Sequence, residues 1–193
     1  MVKDIQLTEE PRKTFTMDPK KFILWLFIVS IIMLFGAFTS AYMVKKASGD
    51  WLGIALPGIF YFNTVVILLS SASMHIAVMS TKKNNLKLTR ITLVITSILG
   101  LTFLAGQYSG WQDLVRNNVF FVGHPSGSFI YVLTGVHGIH LVSGVIFLFI
   151  IVAAAFRFKV HSKSQRWIQM CATYWHFLDA LWLYLFIFLL LNN

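Results

Sequence analysis

Apolar residues in this chain come in long runs separated by short charged clusters. They show neither the strict alternation of a half-buried strand nor the one-sided stripe of a soluble helix. Five runs reach the roughly 17 residues that carry a helix across a bilayer: about 22–44, 57–79, 91–108, 128–156 and 167–191. The pattern predicts an all-α integral membrane bundle of five transmembrane helices spanning 18–193, behind a polar tail at 1–17 with no apolar period. The first run, Phe22 to Val44, exceeds the roughly 7 to 15 residues of a cleavable signal core, so it reads as a retained span. Asp18-Pro19 reads as an N-cap and first helical position, and Pro57 suits a first turn. The segment 109–127, with Asp113, Arg116, Asn117, Asn118 and His124-Pro125-Ser126-Gly127, reads as the one long loop.

Composition supports the same class, since 57% of the residues are hydrophobic and 12% charged. A net charge of +9 does not point to nucleic acid, because the basic residues sit between the apolar runs. They set orientation instead. Thirteen of the 16 Lys and Arg residues fall in the N-terminal segment and in the connections after the second and fourth spans, against Lys45, Lys46 and Arg116 on the other side. By the positive-inside rule the N-terminus is cytoplasmic and the C-terminus periplasmic. A lone Cys171 excludes an internal disulfide and a CxxC site. His75, near the cytoplasmic end of the second span, and His161, in a basic connection, read as solvated.

Candidate chemistry concentrates in the last two spans. Asp179 is the only acidic residue within a membrane-length run, where a carboxyl costs about 2.5 to 3.5 kcal/mol on insertion scales. His176 lies three residues before it, on the same helical face. Counting 1.5 Å per residue from the expected span ends places His137 and His140 roughly 14 and 18 Å deep, level with His176 and Asp179. If spans four and five are neighbours, Asp179 accepts a hydrogen bond from His137 or His140, and Gly135, Gly138 and Gly144 let the backbones approach. Thr96 and Gly100 supply a similar small stripe on the third span.

Four uses of this set are open on residues alone. Three imidazoles and a carboxylate suit zinc or non-haem iron. His176 facing His137 or His140 suits haem b held between helices. Asp179 suits a proton or transport pathway, although all four prolines avoid helix interiors and no internal repeat is present. The last is a polar cluster that fixes helix register and binds nothing.

Two motifs then carry a family resemblance. Thr134-Gly135-Val136-His137-Gly138-Ile139-His140-Leu141, with Gly144, resembles the TGxHGxHV motif of subunit III of haem-copper terminal oxidases. Tyr174-Trp175-His176-Phe177-Leu178-Asp179 with Trp182 resembles the YWHFVDxxW motif of that subunit's last helix. Weaker likenesses are Leu56-Pro57 with Asn63-Thr64 and Ser70-Ser71, and Gly100 with Gln107. The resemblance covers about Phe22 to Asn193 and corresponds to the last five of seven helices in longer members.

It implies a subunit without haem or copper of its own, packed beside subunits I and II, which hold the redox centres. Such a subunit sustains proton uptake in a bacterial inner membrane, contacts phospholipid, and in some assemblies joins a larger respiratory supercomplex. Under that reading His137, His140, Trp175, His176 and Asp179 are polar-core or lipid-contact positions rather than metal ligands. Three family carboxyls are replaced, by Ile31, Gly110 and Gln169.

Overall fold

A computed structural model describes residues 18–49, 51–157 and 162–192. The N-terminal tail and His161 fall outside the described residues. The described residues form five helices: α1 (Pro19–Ala47), α2 (Ile59–Lys82), α3 (Leu86–Arg116), α4 (Pro125–Phe156) and α5 (Ser162–Asn192). All five are long and apolar enough to cross a membrane, and no strand occurs among the described residues.

Boundaries depart from the hydrophobic runs where helices outlast the bilayer. α3 continues to Arg116 and α4 starts at Pro125, so the long loop expected at 109–127 shrinks to 117–124. At 1.5 Å per residue α3 is about 46 Å long, well beyond a hydrocarbon core of about 30 Å. Its last turns therefore need no apolar sequence, and this polar stretch is helix standing clear of lipid. A left-handed Asn118 (φ 60°) and Gly123 (φ 142°) turn the chain, and Pro125 opens α4, where its missing N–H leaves no bond unmade. Pro57 does not open α2, which begins at Ile59. Instead the Pro57 carbonyl accepts from the Phe60 N–H at 3.0 Å.

Asp18 precedes α1 as expected, but its side chain makes no capping bond. It is drawn to Arg166 at the start of α5, at 2.7 Å. Lys20 lies over the Trp167 ring, 4.6 Å from its centroid, so α1 and α5 begin side by side. They also end together, where Tyr42 Oη donates to the Asn192 carbonyl at 3.0 Å and Lys46 donates to the same oxygen.

The connection 83–85 is tight, with Asn84 left-handed (φ 55°) and the Asn85 side chain accepting from Leu88 N–H at 3.2 Å. It makes α2 and α3 antiparallel neighbours. α3 packs on α4, α4 on α5 and α5 back on α2, closing a ring of four. Among the described helices α1 packs on α4 and α5 alone and leans on the ring from outside. Its buried residues are Ile28, Ile31, Phe35, Thr39 and Tyr42, one stripe at helical spacing, and most of its other side chains are exposed.

Candidate functional site

α5 is joined to neighbouring helices by side-chain hydrogen bonds. Trp175 is fully buried, and its indole nitrogen donates to Ser70 Oγ on α2 at 3.1 Å. Trp182, two turns on, donates to Thr64 Oγ1 on α2 at 3.1 Å. Tyr184 Oη donates to Thr39 Oγ1 on α1 at 3.1 Å. Tyr174 Oη shares a hydrogen bond with Ser143 Oγ on α4 at 2.8 Å. One helix thus bonds to three neighbours through aromatic side chains whose polar hydrogens meet small hydroxyls. Three of those hydroxyls are already donors within their own helices: Thr64 to Phe60 O, Thr39 to Phe35 O and Ser143 to His140 O. Each can therefore serve α5 as an acceptor without losing its own bond.

Glycines set the approach distances. A methyl group at Gly100 would lie 2.7 Å from Trp175 Cη2, and one at Gly144 would lie 2.8 Å from Leu178 Cδ1. Thr96, fully buried one turn before Gly100, donates to Thr92 O at 2.9 Å. Gly135 and Gly138 do not play the expected part. The nearest atom to a Cβ at Gly135 is Trp111 Cζ2 at 3.9 Å, and nothing lies within 4 Å at Gly138. Two glycines missed by the sequence reading do: Gly106 lies against the Asn63 amide and Gly110 against the Phe60 ring. Only the pairing of α2 with α3 reveals them.

The two histidines of α4 do not meet Asp179. His137 is fully buried between Phe103 and Trp182, with ring centroids 6.0 and 5.4 Å away, and neither of its nitrogens has a hydrogen-bond partner. His140 donates from Nδ1 to Val136 O at 2.8 Å and sets its ring against Phe27 and Phe35 of α1. Asp179 faces α2, beside Ser71. The reason is geometric. Depth along a helix fixes height but not azimuth, and the α4–α5 seam is filled by Gly144, Leu178, Ser143 and Tyr174. The expectation of neighbouring spans holds; the His-Asp bond between them does not form.

What gathers instead is a cluster on the α2–α5 flank. His176 Nδ1 shares a hydrogen bond with Ser71 Oγ at 2.7 Å and stands 4.0 Å from Asp179 Oδ2. The His75 ring lies 6.2 Å from that of His176. His75 is exposed, and Asp179 is only 3% exposed, with no hydrogen-bond partner on either oxygen among the described residues. His137, His140 and His176 thus look toward α3 and α5, toward α1 and toward α2. No group of three or more metal-binding side chains occurs among the described residues.

The family described as cytochrome c oxidase subunit III matches residues 8–192. The chain belongs to that family. It is 29% identical to the cytochrome bo(3) ubiquinol oxidase subunit 3 of Buchnera aphidicola subsp. Schizaphis graminum, over 90% of this chain and 94% of the relative. It is 29% identical to the cytochrome c oxidase subunit 3 of Thermostichus vulcanus, over 84% and 82%. With the cytochrome c oxidase subunit 3 of Pylaiella littoralis it is 33% identical over 84% of this chain but only 62% of the relative. As a subunit III it is a multi-pass membrane component of an oxidase complex.

Of the three residues that the resemblance sets in place of family carboxyls, two are packed inward. Ile31 is 2% exposed in the core, and Gly110 is buried beneath the Phe60 ring. Gln169 is half-buried, and its carbonyl accepts from Thr173 Oγ1 at 3.0 Å.

Proposed function

We propose that this chain is a non-redox core subunit of a haem-copper terminal oxidase, stabilising the catalytic subunit and supporting its proton uptake during oxygen reduction. Haem and copper belong to the partner subunits I and II, and the assembly sits in a bacterial inner membrane. The basic connections lie on the cytoplasmic side with the N-terminus. An apolar groove lined by Ile91, Val94, Ile95 and Phe156, with Lys87 and Arg90 at its mouth, offers a phospholipid a seat for chain and headgroup.

The observation that carries the reading is the divergence of the three imidazoles. His176 bonds to Ser71 on α2 while His137 packs on Phe103 and Trp182, so the donor set does not fit a haem held between α4 and α5. The test is purification through a tag on this chain. Oxidase subunits and their haem spectrum co-elute with it, whereas the chain stripped of partners is colourless. Asp179→Asn leaves the Soret band of the complex unmoved; a bleached or shifted band overturns the assignment.

A further inference from the structure

We infer that the α2–α5 flank around His75 and His176 is where a transmembrane helix of another oxidase subunit seats, presenting a hydrogen-bonding side chain to the two imidazoles. This rests on the proposed function and adds the position and chemistry of the contact.

His75 stands seven residues before the end of α2 at Lys82, about 10 Å inside that helix end. His176 lies at the middle of α5, and its side chain is 35% exposed. Around His75 the outward surface of α2 is apolar, with Leu68, Leu69, Ile76 and Met79 each more than two-fifths exposed. The solvated reading of His75 therefore gives way: two imidazoles break an otherwise lipid-like face inside the helix end, where water is scarce.

A polar side chain there goes unsatisfied against acyl chains, so such residues face protein. Nδ1 of His176 is occupied by Ser71. Its Nε2 and both nitrogens of His75 make no hydrogen bond among the described residues. Behind them the buried Asp179, beside Ser71, stands 4.0 Å from Nδ1 of His176 and favours the N–H on that nitrogen, which leaves Nε2 with a free lone pair. The outward-facing Nε2 of His176 thus asks for a partner carrying a donor, such as a hydroxyl or an amide. A lipid headgroup lies too far toward the interface to reach His176. Because the chain is part of an oxidase complex, another membrane subunit is the occupant at hand.

The experiment uses the assembled complex. A photoreactive diazirine amino acid at position 72, the exposed alanine one turn before His75, is expected to form an adduct with a different oxidase subunit. The paired variant His75→Leu with His176→Phe is expected to hold that subunit about threefold to thirtyfold less tightly, the range for an interhelical hydrogen bond. His75→Leu alone, at an exposed site, keeps the chain folded and should show part of the loss. Adducts only with lipid or a second copy of this chain, or unchanged retention by the paired variant, overturn the inference while the oxidase assignment stands. Recovery of no other oxidase subunit by the unaltered chain overturns both.

Discussion

The Trp175 indole reaches across from α5 to donate to Ser70 of α2 at 3.1 Å, and the same ring covers Gly100 of α3. One side chain thereby locks three helices. Ser70→Ala strands a buried N–H and is expected to lower stability by about 0.5–2 kcal/mol. In a Trp175→Phe background, with no indole hydrogen to strand, the same change should cost much less. Unfolding of the four-member mutant cycle in detergent micelles measures the difference.

Glycines should divide by what their added methyl meets. Gly100→Ala drives a methyl into a tryptophan held by its own hydrogen bond, so a loss of about 1–3 kcal/mol is expected. Gly144→Ala should cost less, because Leu178 Cδ1 is the free end of a flexible chain. Gly36→Ala and Gly138→Ala meet nothing within 4 Å and should be neutral or gain up to about 1 kcal/mol from helix propensity. A thermal-stability series ranks the four; equal losses at Gly100 and Gly138 would refute the packing.

The Asp18–Arg166 ion pair joins the starts of α1 and α5, but the Arg166 side chain is 59% exposed. Asp18→Asn is expected to change stability by less than about 1 kcal/mol, with any effect shrinking as salt rises. Melting temperatures in low and high salt decide this.

Orientation is testable with one engineered thiol at a time. Cys171 is 1% exposed, so in a Cys171→Ala background a new cysteine is the only thiol. Lys83→Cys should react with an impermeant maleimide only from the cytoplasmic side, and Ser48→Cys only from outside. The reverse pattern would invert the topology.

Much of the fold was legible because lipid imposes one simple demand, a run of apolar residues long enough to span it. Helix number and the α4–α5 adjacency came through on that basis. The ends of α3 did not, because residues beyond the hydrocarbon are free to be polar while remaining helical. Azimuth was harder still. The heights of His137, His140, His176 and Asp179 follow from counting, but which neighbour each one faces depends on the packing of Gly100, Gly106, Gly110 and Gly144 against side chains from other helices. Hydrophobic periodicity says little about that when lipid and protein interior are equally apolar.

The hydroxyls that receive α5 have a bearing on how the protein is made. α5 leaves the ribosome after the other four helices, and until it enters the membrane Thr39, Thr64 and Ser143 have no aromatic visitor. Each can meanwhile give its hydrogen to a carbonyl of its own helix, so the unfinished bundle need not pair wrongly to satisfy them. The nascent protein can wait in the bilayer, and the final insertion adds bonds without first breaking any of these.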